Sequence, residues 1–382
     1  MSKDNKQKLL EFTHTCNKLR QKLLFGTTSL TPINLEEEKI KFFASPTHNP
    51  IFIYKKFDAT KADTLLKNLK QQLKTLKIPY DLRIYLQDYL KDLKLLEKTK
   101  LAIGTDDFAF YAKKLFKIHE YDIHKTLLSL PSIDFDKHES KKLYNAYEIA
   151  DIFEDVLHNQ YNLDHFTVRI DEHARHTIWT GNTTINIGSD ILRYDHNVAR
   201  LIVHEIESHA LQRYNLSLYN NPFIKLVPYR EASLYGEGLA VYNEIMTGTI
   251  TKKAYNQYVY RSKAVSMLSL SFREIFNYLT QFISAGQAFL ITYRVKRGMK
   301  HTAKPGGFPK DAFYLLGYKV ILDYVKAGLR PEFLYISRNP YLSSLLLSQN
   351  LLLKTDLKLP TFWKKSYAPS STPAFLQAPG KV

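Results

Sequence analysis

Two histidines within residues 201–210, His204 and His209, are five positions apart, and Glu205 directly follows the first. Histidines and carboxylates are common zinc ligands, and a regular helix brings histidines onto one ion when they are four residues apart, about 40° around its axis. Five residues apart they lie about 140° apart and cannot share an ion, whereas a π-type turn of about 4.4 residues reduces this angle to about 50°. We therefore predict a helix over residues 194–214 that is widened or interrupted between the two histidines.

A second predicted helix, over residues 229–245, carries the third candidate ligand, Glu237. Gly236 and Gly238 flank this carboxylate, and glycine permits the close approach that we expect between this helix and the helix that carries the histidines. A catalytic zinc site has three protein ligands and keeps a further position open. The sequence thus predicts one zinc ion per chain, bound by the two histidines and Glu237.

The other acidic residues and histidines leave alternatives open. Glu205 occupies the position where a zinc peptidase keeps its general base, next to the ion in sequence and turned away enough to hold a water molecule. Glu244 is seven residues after Glu237, on the same helix face, and could support a ligand from behind. Glu207 is a poor ligand because of its angular position on the helix. Alternative third ligands are Glu231, Glu244, His158 and His173.

The charge of the chain favours anionic partners. With 54 basic and 37 acidic residues, the net charge of +17 speeds encounters with nucleic acid, an anionic membrane surface or an acidic polypeptide. The basic residues are mostly lysines scattered over amphipathic segments, without an arginine-rich tail or a recognised nucleic-acid module, so no specific nucleic-acid partner is predicted. A general lysine bias of the proteome explains the charge equally well. The sequence leaves the oligomeric state open.

The cysteine content and the N-terminus bear on the compartment. A single cysteine, Cys16, excludes a disulfide framework within the chain and fits a reducing compartment. The N-terminus is polar and lacks the apolar core of a signal peptide. The best candidate membrane segment, residues 275–293, contains several polar residues and is predicted to be one buried helix. We therefore expect a cytoplasmic protein without a transmembrane segment.

Helices predominate in the predicted secondary structure. Residues 1–130 place leucines at helical spacing with lysines on the opposite face, and residues 51–54 form a short strand-like run. Further helices are predicted at residues 142–157, 252–295 and 311–327. Strands are predicted at residues 166–170, 177–179 and 183–187, the last two as a hairpin. The strand at 183–187 precedes the histidine helix, and we expect it to be either an edge strand that aligns the substrate or an ordinary strand of the sheet.

These changes in pattern divide the chain into three predicted regions. They are a mostly helical N-terminal region packed on the catalytic part (residues 1–139), a catalytic domain with the candidate metal ligands (140–365) and a disordered tail rich in Pro, Ser and Ala (366–382). At 382 residues, 45% of them hydrophobic, the chain has enough material for one large or two ordinary domains.

Three motifs carry a resemblance to a known family. Val203-His-Glu-Ile-Glu-Ser-His209 and, after it, Gly236-Glu-Gly-Leu-Ala240 resemble the bacterial QEGLA-motif (DUF1704-type) proteins, a family that includes the microtubule-associated tyrosine carboxypeptidases of animals. A third block, residues 293–298 followed by residues 306–317, is similar to the family's arginine-glycine and glycine-glycine-x-x-lysine-aspartate segment. Together with a weaker match near its start, the resemblance spans residues 49–328.

The resemblance implies a helix-rich, zincin-like α+β metallopeptidase fold with a small sheet beside the metal-binding helix. It also implies a zinc-dependent carboxypeptidase that removes the C-terminal residue, tyrosine or another aromatic residue, from a protein or peptide tail, and an acidic tail would suit the basic chain. The family's two histidine ligands, its carboxylate ligand and its catalytic glutamate fall on His204, His209, Glu237 and Glu205.

Two positions depart from the family pattern. Glu207 stands where the family usually has glycine, and Gly236 stands where it has glutamine or glutamate. Neither position is a ligand, and both bear on the shape of the pocket.

Amide hydrolysis at such a site needs further groups that bind the substrate. Candidates for the second electrophile at the oxyanion are Tyr229, Tyr235 and Tyr314. The bidentate fork of arginine is the best partner for the terminal carboxylate of an exopeptidase substrate. The candidate cations are Arg230, Arg294, Arg297 and Lys310, the last three mainly from the family-like block. For each of these four cations, an ordinary solvated charge on the surface is at least as good an explanation as a role in substrate binding.

Two other functions fit the same residues. One is a zinc endopeptidase or amidase, and the other is a non-catalytic basic binding protein on the same metal fold. Amidation of a peptide's C-terminus separates the first from a carboxypeptidase, because only the carboxypeptidase requires the free carboxylate. Zinc content and the effect of Glu205→Gln on peptidase activity distinguish the non-catalytic binding protein from an enzyme.

Overall fold

The structure is a computed structural model, and it describes residues 3–25, 27–58, 60–135, 141–172, 177–219, 221–330, 332–348 and 357–364. The chain adopts an α+β fold that is mostly helical and contains two small sheets, which confirms the predicted fold class. The tail at 366–382 and His173 lie outside the described residues. No helix in the described ranges is long and apolar enough to span a membrane.

The N-terminal region is helical, as predicted. Its helices are α1 (Lys3–Leu23), α2 (Leu35–Ala44), α3 (Thr60–Thr75), α4 (Tyr80–Leu101), α5 (Phe108–Phe116) and α6 (Glu120–Ser129). In α3 the leucines at helical spacing, including Leu66, Leu69 and Leu73, are buried, while the lysines on the other face are exposed. The sequence periodicity therefore identified the buried face correctly.

The run predicted as a strand at residues 51–54 is not a strand. It forms an isolated bridge between Ile51 and His301, and its other backbone bonds go to irregular segments, as when the amide of Phe52 donates to the carbonyl of Lys300 (2.9 Å). The alternation of buried and exposed side chains is real, because Phe52 and Tyr54 enter an apolar core. A strand needs a neighbouring strand, which local pattern alone does not reveal.

In the described residues, five short strands form two sheets. They are β1 (Leu143–Asn145), β2 (Thr167–Asp171), β3 (Ile178–Thr180), β4 (Thr184–Gly188) and β5 (Leu192–Tyr194). β1 pairs with β5, and the other three strands form a sheet of order β2-β4-β3. β3 and β4 are antiparallel, with Ile178 opposite Ile187, which confirms the predicted hairpin. β2 is parallel to β4.

The interpretation of residues 183–187 as an edge strand is wrong, because β4 is the central strand of its sheet. Ile185, Asn186 and Ile187 are buried, and the strand pairs with β2 on one side and β3 on the other. A strand paired on both sides has no free backbone groups to offer a peptide. The two edge positions belong to β2 and β3.

The middle of the chain contains the helices that carry the candidate ligands. They are α7 (Ala146–Asp155) with a following π-helix (Val156–Gln160), α8 (Asp195–Leu201), a second π-helix (Ile202–Ala210), α9 (Leu211–Leu218) and α10 (Tyr229–Met246). The helix predicted from residue 142 begins later, because the preceding residues pair as β1. Asn145 then caps α7, its side chain accepting from the amides of Tyr147 and Glu148.

The remaining helices follow α10 and complete the fold. They are α11 (Lys252–Ser266), α12 (Phe272–Leu279), α13 (Ala285–Lys296), α14 (Phe313–Lys326), α15 (Phe333–Ile336), α16 (Pro340–Ser348) and α17 (Thr361–Lys364). The single buried helix predicted at residues 275–293 is wrong: this segment is divided between α12 and α13. The break occurs where Ser284 takes an extended conformation (φ −61°, ψ 151°) and serves as the N-cap residue of α13.

The N-terminal helices pack on the rest of the molecule through a common apolar core. Leu66 and Phe116 from this region belong to the same cluster of buried residues as Ile224 and Leu346. The boundary at residues 139/140 stays a prediction, since this core extends across it.

α10 and α14 meet at a pair of glycines. A Cβ atom added to Gly238 would lie 2.6 Å from Cα of Gly317, and one added to Gly317 would lie 2.8 Å from Cα of Gly238. Both distances are far below the roughly 3.5–4.0 Å of normal carbon contacts. The close approach predicted for Gly238 is therefore real, but its partner is α14 and not the histidine helix.

Candidate metal centre

The histidine helix is widened where the spacing requires it. The nine residues Ile202–Ala210 form a π-helix between α8 and α9. The amide of Leu211 bonds the carbonyl of Ile206, five residues earlier, and Ser208 Oγ bonds the carbonyl of Val203 with the same offset. The ring centroids of His204 and His209 are 5.0 Å apart. The predicted widening is confirmed, and it brings the two imidazoles to one side of the helix.

Glu237 on α10 faces both histidines. Its Oε2 atom is 3.9 Å from Nε2 of His204 and 3.9 Å from Nε2 of His209. Two ligand atoms about 2.0–2.1 Å from a tetrahedral zinc ion are about 3.4 Å apart, so these separations differ from the required geometry by about half an ångström. Within the described residues, these three side chains form the group whose ligand atoms can meet at one metal ion.

Glu244 lies behind His204 and orients its ring. Its Oε1 is 2.6 Å from Nδ1 of His204, and it also accepts from Arg200 Nη1 (2.8 Å) and the Tyr258 hydroxyl (3.1 Å). Burial raises the pKa of the Glu244 carboxyl, but the Arg200 charge and the contacts with His204 and Tyr258 together lower it overall. Burial lowers the pKa of His204, but Glu244 and the nearby carboxylates raise it overall. With Nδ1 directed at Glu244, Nε2 is the ring nitrogen of His204 that faces Glu237.

The donor set suits zinc. Burial lowers the pKa of His209 well below its usual range, so this imidazole is neutral, the form that binds a metal. Its Nδ1 atom is buried and has no hydrogen-bond partner among the described residues. Burial raises the pKa of Glu237, but the Lys310 ammonium and the two histidines outweigh it and hold the pKa at about 2. Two imidazoles and one ionised carboxylate match the composition of a catalytic zinc site.

The alternative ligands are placed elsewhere. Glu231 accepts from the side-chain amide of Asn339, and His158 Nε2 bonds the carbonyl of Phe166 at 3.0 Å. Glu207 bonds the hydroxyl of Tyr161.

Glu205 is buried beside the three candidate ligands and is fixed by the edge strand β3. The Thr180 hydroxyl donates to Oε2 of Glu205 (2.6 Å) and is 3.1 Å from its backbone oxygen. Burial raises the pKa of the Glu205 carboxyl, partly offset by His204 and Thr180. Thr180 thus contacts one carboxylate oxygen of Glu205, Oε2, and β3 is the strand that packs against the histidine helix at this point.

A large cleft of about 2590 Å³ opens over this group. Its walls include the end of α1 and the segment that leads into α2, so the N-terminal region frames the cleft. Arginine and lysine side chains outnumber carboxylates along it: the cations are Arg20, Lys39, Arg169, Arg213, Lys252, Lys253, Arg261, Arg294, Arg297, Lys310 and Arg338.

Two predicted tyrosines line the cleft and one does not. Tyr229 and Tyr314 are lining residues, and the ring centroid of Tyr314 is 6.4 Å from that of His204. Burial raises the pKa of both phenols, that of Tyr314 to about 12 with help from the Glu237 charge, so both keep the proton that an oxyanion donor needs. Tyr235 instead packs against an apolar core away from the cleft, which argues against the predicted oxyanion role.

The cations predicted to bind the substrate have mixed positions. Arg230 lies outside the cleft lining and bonds the carbonyl of Phe116 (2.9 Å), which argues against its predicted role. Arg294 lines the cleft but makes two bonds to the buried Asp311, at 2.6 and 2.9 Å. Lys310 Nζ is 3.1 Å from Oε1 of Glu237 and so supports the candidate metal ligand. Arg297 lines the cleft with its guanidinium over the ring of Phe308.

Most of the lining residues could not be identified from the sequence, and four of them lie close to the candidate ligands or to Glu205 or carry free charge at the cleft: Thr180, Arg20, Arg213 and Arg338. Thr180 was part of a predicted hairpin turn, and the position of that hairpin next to the histidine helix is a tertiary property. The three arginines belong to no motif, and α1, α9 and the loop after α15 bring them together only in the folded chain.

One family model matches most of the chain. The family model described as "Microtubule-associated tyrosine carboxypeptidase" matches residues 40–337, which include both histidines, both candidate glutamates and the Arg294–Asp311 pair. No individual curated protein matches the chain. The match supports an enzyme of the carboxypeptidase type whose substrate is the C-terminal tail of a protein. By the extent of this match, the chain belongs to the microtubule-associated tyrosine carboxypeptidase family.

Proposed function

We propose that the chain is a zinc-dependent carboxypeptidase that hydrolyses the last peptide bond of a protein or peptide tail, with Glu205 as general base. The observation that carries this proposal is the convergence of His204, His209 and Glu237 in a cleft that Glu205 also lines. Glu205 is next to a ligand in sequence and makes its own contact to Thr180, so its role differs from that of the ligands.

The side chains have distinct roles in the proposed reaction. Zinc bound by the two histidines and Glu237 would polarise the scissile carbonyl and acidify the attacking water. Glu205 accepts the proton of this water and delivers it to the nitrogen of the leaving amine. Thr180 holds one oxygen of Glu205 and leaves the other for this transfer. The hydroxyl of Tyr314 or Tyr229 donates to the oxygen of the substrate carbonyl as negative charge develops there.

The proposed substrate is a flexible, acidic C-terminal tail that ends in tyrosine or another aromatic residue. The family description names a tyrosine carboxypeptidase associated with microtubules, and we extend that substrate class to this chain. The excess of cations along the cleft supports an acidic tail, because opposite charges raise the rate of encounter. A zinc endopeptidase is the second candidate, supported by a cleft large enough to hold several residues on either side of the bond.

The metal assignment is tested by loading and removing zinc. The purified protein is expected to contain one zinc ion per chain, and replacement of His204, His209 or Glu237 by alanine is expected to lower bound zinc to background. Elemental analysis after dialysis measures this. Chelation should abolish peptide hydrolysis, and added zinc should restore it.

His158→Ala is the matched control, because His158 bonds a backbone carbonyl away from the cleft and is expected to leave the zinc content unchanged. A protein that holds no zinc when its activity is intact, or whose three ligand variants bind zinc like the parent, would overturn the metal assignment.

A further inference from the structure

Three arginines without carboxylate partners converge on one wall of the cleft. Arg20 comes from the last turn of α1, Arg213 from α9, and Arg338 from the loop between α15 and α16. None of the three forms an ion pair within the parts of the chain that the structure describes, and the buried Nε atoms of Arg20 and Arg213 have no hydrogen-bond partner there. The cluster therefore has unused donors and no carboxylate at ion-pair distance in the described residues.

This cluster lies next to the candidate metal centre. A Cβ atom added to Gly236 would be 3.8 Å from Cδ of Arg338 and 3.9 Å from Cε1 of His209, so both side chains pass the same point on α10. The Arg213 guanidinium donates to Asn182 Oδ1 and to the Thr180 carbonyl oxygen, both at 3.0 Å, and these bonds fix its position. Because the Thr180 hydroxyl bonds Glu205, Arg213 is tied to the general base.

The distance between the arginines and the metal centre determines which part of the substrate they can contact. In a peptide, the terminal carboxylate lies one residue beyond the scissile carbonyl, which is about 3.8 Å along the chain. Arg338 Cδ and His209 Cε1 lie 3.8 and 3.9 Å from the same point on α10, so these two atoms are less than about 8 Å apart. The guanidinium beyond Arg338 Cδ is therefore within reach of a carboxylate that is held beside the ligand histidine. The planar guanidinium matches a carboxylate with two parallel hydrogen bonds.

Two other cations near the ligands are already engaged, because Arg294 makes its two bonds to Asp311 and Lys310 bonds Glu237. Arg297 and Arg261 are the remaining rivals, since both line the cleft, form no ion pair in the described residues and have a buried Nε atom without a hydrogen-bond partner there. The guanidinium of Arg297 stacks on the ring of Phe308 at 4.9 Å and that of Arg261 on the ring of Tyr314 at 5.5 Å, whereas Arg338 passes the same point on α10 as the ligand His209. Arg20, Arg213 and Arg338 repel one another, and a bound anion reduces that repulsion.

We propose that Arg338, assisted by Arg20 and Arg213, binds the terminal α-carboxylate of the substrate. The proposal deepens the carboxypeptidase function and rests on it. Arg20 and Arg338 lie outside the segment that matches the family, residues 40–337. As Arg20 belongs to α1, the N-terminal helix becomes part of the substrate site and not only a wall around it.

Peptide binding to the zinc-loaded Glu205→Gln protein tests this proposal without catalysis. The probe is a labelled peptide of alanine and glycine that ends in tyrosine, either as the free acid or as the amide, and fluorescence anisotropy gives the dissociation constants. The free acid is expected to bind about 30-fold or more tightly than the amide, and adding Arg338→Met is expected to reduce this ratio to about 3-fold or less. Arg338→Lys should retain an intermediate ratio, because it keeps the charge and loses the fork.

Controls separate a direct contact from a folding defect. Arg230→Met changes a cation outside the cleft and is expected to leave the ratio unchanged, and the zinc content of every variant should equal that of the parent. Arg20→Met supplies a second variant on a different element and should lower the ratio several-fold. The proposal is overturned if Arg338→Met keeps the parent ratio, or if Arg297→Met alone abolishes it.

A second peptide pair tests whether the cluster binds acidic side chains instead. It carries glutamates before the final tyrosine. Arg338→Met should weaken the binding of the peptides with a free C-terminal carboxylate by similar factors in both pairs. A loss confined to the glutamate peptides contradicts the proposal. Failure of the carboxypeptidase function is distinguishable, because in that case the parent protein cleaves neither peptide while the Arg338-dependent preference for the free acid persists.

Discussion

Replacement of Glu205 by glutamine is expected to lower kcat for peptide hydrolysis by about 10²–10⁴-fold while zinc remains bound. The amide retains the size of the side chain and can still contact Thr180, but it cannot accept the proton of the attacking water. The loss should appear in kcat and in kcat/KM alike, because proton transfer takes place only as the transition state forms. Steady-state kinetics on a tail peptide, together with zinc analysis of the same sample, measure the effect.

Glu207→Gln is the matched control for this variant. Glu207 belongs to the same π-helix and is also buried, but it bonds the hydroxyl of Tyr161 away from the candidate ligands. Its replacement should leave kcat within a few-fold of the parent value. Equal losses in the two variants would show that Glu205 acts through the helix and not as a base.

Gly238→Ala is expected to destabilise the folded protein by about 3 kcal/mol or more. The added methyl group would meet the backbone of Gly317 on α14 at distances that no rotamer can relieve, so α10 and α14 must separate. Their separation would also disturb the position of Glu237, the next residue along α10. Chemical denaturation measures the change in the free energy of unfolding.

Gly236→Ala controls for helix propensity, since it lies on the same helix two residues earlier. Its nearest neighbours would be 3.8 Å or more from the added carbon, an ordinary contact. This variant should keep or raise the free energy of unfolding, by up to about 1 kcal/mol from the better helix propensity of alanine. If both variants are equally stable, the close contact of α10 and α14 is not as described.

Local spacing was enough to predict the core of the site. The five-residue interval between His204 and His209 required a widened helix, because the angle between side chains is a property of the helix itself. The position of Glu237 and the supporting contact of Glu244 followed from their spacing on a second helix. These contacts lie within one helix or between two helices whose residue spacing is clear in the sequence.

Relations between distant segments could not be predicted in this way. For β4 the sequence leaves open an edge strand and an ordinary sheet strand, because its pairing with both β2 and β3 is not visible in its own residues. Lys310 is one of four candidate cations for the substrate, and the fold places it against Glu237. Arg20 and Arg338 come from opposite ends of the chain, and no periodicity or motif links them.

The most direct test of the central claim is mass spectrometry of a peptide pair incubated with the zinc-loaded protein. Both peptides have the same acidic sequence ending in tyrosine, one with a free C-terminal carboxylate and one amidated. A zinc carboxypeptidase should remove the single terminal residue from the free acid and leave the amide intact, and chelation should stop the reaction. Cleavage at internal bonds, equal cleavage of the amide, or no cleavage of either peptide would contradict the claim.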